Sequence, residues 1–253
     1  MSLILNQDEI KSLKKCGSIL SSALQETIDY LKPGVSGLSL DKVAETAIRR
    51  MGATPSFLNY GDAKNPYPAT ICLSINNEVV HGIPSKEKII REGDVVSIDI
   101  GARYNGICTD MAKSVIVGKA KNNSDPKLLK VTQDSLNRAI AILAPGVFTG
   151  DIGYEVQSYV EKNGMSVVKS LVGHGIGRNP HQEPQIPNFG KKRTGFKLLP
   201  GIAIAIEPMV NAGAGDVITA SDGWTVKTYD GSNSAHFEHT ILITDKKPIV
   251  ITA

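Results

Sequence analysis

Two stretches of this chain copy one another. Leu31-Lys32-Pro33-Gly34-Val35 closes one helical pattern, and Leu143-Ala144-Pro145-Gly146-Val147 closes a second. Gly93-Asp94-Val95-Val96-Ser97-Ile98-Asp99 and Gly201-Ile202-Ala203-Ile204-Ala205-Ile206-Glu207 each run from a glycine, through β-forming residues, to a carboxylate. Pro-Gly helix stops are common enough for the first match to be coincidence. A second match at nearly the same offset is harder to dismiss. Together they predict two related halves of one catalytic α+β domain, roughly 1–120 and 121–253, each with a helix pair packed on an antiparallel sheet. Such a repeat puts Asp99 and Glu207 at equivalent points of two half-sheets, where ligands converge on the interface.

The helical segments read clearly. Asn6 followed by Glu9 resembles a capping box, and Ile10, Leu13, Leu20, Leu24, Ile28 and Leu31 recur on three- and four-residue steps. A second helix is expected from near Leu40, with Val43, Ala47 and Met51 on its apolar face. Ile152, Val156 and Val160 form the corresponding stripe in the later half.

The chain has 253 residues, enough to bury a sizeable core. Its net charge of +3, with no long block of like charges, offers no nucleic-acid arm. Cys16, Cys72 and Cys108 are odd in number and form no C-x-x-C pair, which fits a reducing compartment. The stretch Met1–Glu9 lacks the cationic lead and cleavage pattern of a signal peptide, and no apolar run approaches the ~18 residues of a membrane span. A cytoplasmic location with no membrane contact is expected.

Chemistry concentrates in carboxylates on apolar strands. Asp99 ends one such strand, and Tyr104-Asn105-Gly106-Ile107 ahead of it carries the Asn-Gly hairpin signal. A two-residue turn there pairs Asp110 with Gly101 and makes it a diagonal neighbour of Asp99 on one face, ~7–8 Å away. Glu207 interrupts a second apolar strand, and Glu238 lies in the β-rich stretch His236-Phe237-Glu238-His239-Thr240-Ile241. His174 stands in Gly173-His174-Gly175, where glycines would let the backbone approach a ligand closely. Taken singly, each acid reads as a structural hydrogen-bonding group and the histidine as a core residue. Four strand-borne carboxylates, each costly to bury, are resolved together by a two-metal site with ions ~3.5–4 Å apart. An oxygen-rich set with one imidazole favours manganese, iron(II) or cobalt over a thiolate-type zinc site.

Asp99, Asp110, His174, Glu207 and Glu238 resemble, in order and spacing, the ligands of the methionine aminopeptidases, a family with the pseudo-symmetric pita-bread fold. Asn76-Asn-Glu-Val-Val-His81-Gly-Ile-Pro84, Gly173-His-Gly-Ile-Gly-Arg178, Glu183-Pro184 and Glu207-Pro208 match as well. The resemblance spans essentially the whole chain and is closest to the bacterial type I form. No zinc-binding or basic extension precedes the first helix, and only 25 residues separate His181 from Glu207, too few for the type II insertion.

The resemblance implies that Asp99 chelates one ion, Asp110 and Glu238 bridge two, and His174 with Glu207 complete the other. It implies an activated hydroxide attacking the first peptide bond of nascent chains that begin with Met and continue with a small residue. Glu207 would carry a proton towards the leaving amine, His181 would steady the substrate carbonyl, and His81 would sit near the scissile nitrogen. Tyr67, Cys72, His81 and Trp224 would wall the methionine pocket. Two positions depart from the family pattern. Pro180 replaces a phenylalanine common in bacterial relatives, and His236 replaces a glutamine, on the same strand face as Glu238. A monomer is expected. Lys191-Lys192-Arg193 offers a transient ribosome contact, although a solvated loop is the simpler reading. The rivals are a prolidase-like enzyme on the same fold, a non-catalytic peptide binder and a metal-storage domain.

Overall fold

The computed structural model describes residues 2–253, so Met1 lies outside the described residues. Helix α1, Gln7–Tyr30, starts on the expected capping box. The Asn6 side chain accepts from the Asp8 and Glu9 amides (3.0 Å each), and Glu9 Oε2 accepts from the Asn6 amide (2.8 Å). It ends at Leu31, whose backbone is extended ahead of Pro33-Gly34. Helix α2, Gly37–Arg50, is capped by Ser36 and lies against α1. Its buried stripe is Leu40, Ala44, Ala47 and Ile48, whereas Val43 and Met51 are only half-buried. The expected face was rotated, because alanines are what allow two helices to pack closely.

After the short strand β1 (Thr54–Pro55) come β2 (Ile71–Ile75), β3 (Glu78–Val80), and the hairpin of β4 (Val95–Tyr104) and β5 (Ile107–Ile116). Asn105 and Gly106 turn the hairpin with φ of 46° and 81°, the left-handed pair that a two-residue turn requires. Tyr104 pairs with Ile107 and Gly101 with Asp110, which is the predicted register. Helices α3 (Asp125–Ala141) and α4 (Thr149–Lys162) then pack on each other, and Ile152, Val156 and Val160 are fully buried as expected.

The remaining strands are β6 (Ser166–Val167), β7 (Val172–Ile176), β8 (Gln182–Pro187), β9 (Ala203–Ile206), β10 (Met209–Asn211), β11 (Val217–Thr219), β12 (Val226–Thr228), β13 (Ser234–His236), β14 (Glu238–Leu242) and β15 (Ile249–Val250). The main antiparallel sheet runs β1-β4-β5-β14-β9-β7-β8, with β2 also on β4 and β15 on β14. Its central seam joins β5 to β14, pairing Glu238 with Ala112. One apolar core lies between α1–α2 and β2/β4, and another between α3–α4 and β9/β14. This is the α+β pita-bread architecture: two helix pairs cover one sheet, and its seam brings strands of both halves together.

Candidate metal centre

The hairpin ladder sets the first two acids. Asp99 sits mid-strand opposite Cys72 of β2, and Asp110 is one diagonal away on β5. Thr240 ties Asp110 to β14: its hydroxyl accepts from the Asp110 amide (2.9 Å) and donates to the Asp110 carbonyl (2.8 Å). Glu238 is the first residue of β14, and Glu207 follows β9 directly. The stretch 236–241 is not one strand. It breaks at Phe237, leaving His236 on β13, which pairs with β10 in a separate sheet.

His174 projects from β7 at a bulge between Gly173 and Gly175, where β7 meets β8. The two glycines serve strand packing and not close ligand approach. A side chain at Gly175 would strike the Glu183 carbonyl, and one at Gly173 the Ala205 carbonyl. His174 Nδ1 lies 3.0 Å from its neighbour's carbonyl, Gly175 O. Donation there leaves Nε2 unprotonated and facing the site, as a metal ligand requires.

These residues converge. Ligand atoms of Asp99, Asp110 and Glu238 lie within 4.8 Å of one another, as do those of His174, Glu207 and Glu238 and those of Asp110, His174 and His181. Glu238 is common to two of the groups, and so is Asp110. Asp99, Asp110 and Glu238 are all buried, and each keeps one carboxylate oxygen without a hydrogen-bond partner. Buried carboxylate oxygens left in that state are costly unless a cation meets them.

Burial pushes the Asp99 carboxyl up to about 7. Burial and the neighbouring acids raise Asp110, Glu207 and Glu238 well above the usual carboxylate range. Burial takes His174 down to about 3, with His181 adding to the shift. Four acids that resist ionisation beside an imidazole that resists protonation form a site one or two divalent cations would satisfy. The hard, oxygen-rich donors fit ions of the manganese, iron(II) and cobalt kind.

These residues line a cavity of about 270 Å³. Tyr67, Cys72, His81, His181 and Trp224, all singled out from sequence, line it. The Tyr67 hydroxyl reaches the carbonyls of Ile71 (3.0 Å) and Gly82 (2.9 Å), and its ring meets Trp224 edge-on at 5.2 Å. Trp224 is a wall residue, only partly exposed. Its Nε1–H donates to Asn65 O (3.1 Å), and a side chain at Gly61 would strike its ring. His81 has a φ of 58°, and burial lowers its pKa to about 4. His181 stands exposed at the mouth, its ring 4.3 Å from that of His174 and 4.9 Å from that of Tyr60. Pro180 is buried but does not line the cavity. Sequence reasoning missed Phe57, Tyr60, Val80, Leu171, Val172 and Met209 as wall residues. The aromatic spacing of Phe57, Tyr60 and Tyr67 was the available signal.

The sequence matches metallopeptidase family M24 over residues 11–245. The chain belongs to metallopeptidase family M24. Among M24 proteins it is 44% identical to a methionine aminopeptidase of Aquifex aeolicus, over 98% of each chain. It is also 44% identical to methionine aminopeptidase 1 of Bacillus subtilis, over 94% of this chain and 93% of that one. The fold superposes on the crystal structure of the Thermotoga maritima methionine aminopeptidase with a TM-score of 0.95, at 41% identity over 98% of both. A Xaa-Pro dipeptidase of Bacillus anthracis shares the fold alone, with a TM-score of 0.79 at 24% identity, and this chain covers only 62% of it.

Proposed function

We propose that this M24 metallopeptidase is an aminopeptidase that removes the initiator methionine from proteins whose second residue is small. The observation that carries the reading is the junction of two features. Five candidate metal-binding side chains, three of them with an orphaned carboxylate oxygen, line a cavity whose other walls are largely apolar and aromatic. Similarity to methionine aminopeptidases over nearly the full length of both chains supports the same specificity.

Asp99, Asp110, His174, Glu207 and Glu238 would hold two divalent ions, with Asp110 and Glu238 shared between them. Bound there, such ions supply Lewis acidity towards a peptide carbonyl and bring the ionisation of water near neutral pH. The protein's own groups do the rest. His181, at the mouth beside His174, donates to the carbonyl oxygen as negative charge grows on it. Glu207, the least enclosed of the four acids, takes up a proton on its carboxylate and passes it to the departing amine. His81 is neutral at pH 7, and its imidazole can hydrogen-bond near the scissile nitrogen without adding charge. Tyr67, Cys72 and Trp224 enclose the methionine side chain, whose polarisable sulfur suits aromatic edges. Residues 1–120 and 121–253 act as two halves of one catalytic domain.

Nascent N-termini are the proposed partners and the cytoplasm the proposed location, with the chain working as a monomer. Among the described residues no helix is long and apolar enough to cross a membrane. The test is to strip metal with a chelator and restore manganese, cobalt or anaerobic iron(II). Cleavage of Met-Ala-Ser is then compared with that of Ala-Pro-Ser. Release of methionine only, and only with metal, is the expected result. Cleavage of the proline peptide alone moves the protein to the prolidase branch, and no cleavage despite metal binding overturns the reading.

A further inference from the structure

One buried imidazole faces the metal centre without belonging to any of its ligand groups. His236 is 1% exposed, and its Nε2 has no hydrogen-bond partner. Glu207 Oε2 lies 3.7 Å from that nitrogen, while Glu207 Oε1 lies 3.4 Å from His174 Nε2. The Glu207 carboxylate therefore stands between two imidazoles. His174 shares a ligand group with it, and His236 does not.

The His236 backbone is held on both sides. Its amide donates to Ser114 Oγ (2.9 Å), and the Ser114 hydroxyl donates back to the His236 carbonyl (2.8 Å). Ser97 Oγ, 2.6 Å away, secures Ser114 in turn, and the ladder partner of His236 is Met209 of β10. A small serine relay across β4 and β5 thus fixes the backbone of a histidine whose Nε2 has no hydrogen-bond partner. An unpaired buried nitrogen costs about 1–3 kcal/mol, so its retention points to a partner it meets in the working state.

We infer that His236 is a positioning residue for Glu207, an inference resting on the reading of Glu207 as ligand and proton carrier. A carboxylate can only accept, so the neutral ring carries its proton on Nε2 and donates it to Oε2. Rotation of the Glu207 carboxyl closes the 3.7 Å gap to hydrogen-bond length. That bond sets the carboxylate plane, presents Oε1 beside His174, and leaves the ligand set tighter on this side of the site.

The test pairs His236→Leu, which fills similar space without a donor, with His236→Gln, which keeps one. Manganese alone is titrated calorimetrically into the metal-free proteins, and kcat and KM are measured on Met-Ala-Ser. His236→Leu should weaken one of two manganese-binding events by about 10–100-fold and lower kcat more than it raises KM. His236→Gln should recover most of both, and the metal-free melting temperature of the Leu variant should be unchanged or raised. His236→Asn, whose donor falls short, should follow Leu and stands in for it if Leu does not fold. Wild-type binding of two ions with an unaltered Leu variant overturns this inference alone. A wild-type protein that binds no manganese overturns the metal-centre reading, and this inference with it.

Discussion

The β4–β5 hairpin and the β9–β14 pair each bring two carboxylates to the site, by different means. In the hairpin, Asp99 and Asp110 lie mid-strand in an unbroken ladder from Val95↔Ile116 to Tyr104↔Ile107. In the second pair, both acids sit at strand ends. Glu207 follows β9, and Glu238 opens β14 where the chain crosses from another sheet. The ladder sets the register of its acids through backbone hydrogen bonds, with the Thr240 hydroxyl bracing Asp110. The second pair depends on neighbours: Asn188 Nδ2 donates to the Glu207 carbonyl (2.9 Å), and His236 flanks the Glu207 carboxylate. One half of the site is rigid by register and the other is adjustable by packing, and the adjustable half holds the acid proposed to move a proton.

The sharpest way to break this comparison is to remove charge from each half. Asp110→Asn should abolish metal-dependent methionine release, a loss beyond the about 10–100-fold typical of groups one step removed from a metal. Glu207→Gln should also cost most of the rate while the protein keeps at least one ion, read by calorimetry and steady-state kinetics. Equal loss of both ions in the two variants would erase the distinction.

Metal removal probes the rigid half through pH. The Asp99 carboxyl rises from 3.8 to about 7 on folding, so the folded chain binds the proton more tightly than the unfolded one. The Asp99 contribution to metal-free stability should therefore fall as pH rises from about 4 to about 7 and level off above, read from urea melts as the difference between the wild type and Asp99→Asn. Metal-loaded protein should show no such decline, because cations hold the acids ionised. A flat metal-free profile would mean that the buried acids are satisfied without cations.

Core truncations compare the helix pairs. Leu40→Ala in α2 should cost about 2–5 kcal/mol, and Val156→Ala in α4 less, since both side chains are fully buried and valine loses fewer atoms. The smallest effect should come from the hairpin turn. Gly106 has a φ of 81° and nothing within 4 Å of an added methyl, so Gly106→Ala should cost about 1 kcal/mol through backbone strain alone. Methionine release should be retained if the ten paired rungs of the ladder hold Asp110 in register.

Much of this molecule was legible beforehand where the signal is local. The Asn6–Glu9 cap, the Asn105-Gly106 turn and the α4 stripe need only neighbouring residues, and the diagonal of Asp99 and Asp110 follows from the turn by counting. The α2 face was misjudged because large residues drew attention away from Ala44 and Ala47. The Gly-His-Gly glycines were assigned to a ligand, although what they accommodate is the carbonyls of Glu183 and Ala205 on adjacent strands. Val80, Leu171, Val172 and Met209 went unnoticed as walls, since nothing local marks an apolar residue as facing a cavity, and the aromatic spacing that pointed to Phe57 and Tyr60 was not read that way.

By itself the sequence determined the elements, the hairpin register and the family-matching set of acids and histidines, because periodicity and turn chemistry act over a few residues. Only the tertiary structure decided that His181 shares a ligand group with Asp110 and His174 and that Asn65 holds Trp224 over the cavity. It alone set the unpartnered ring of His236 against Glu207. Those contacts join residues far apart in the chain, and their distances follow from how the sheets pack, which no local pattern encodes.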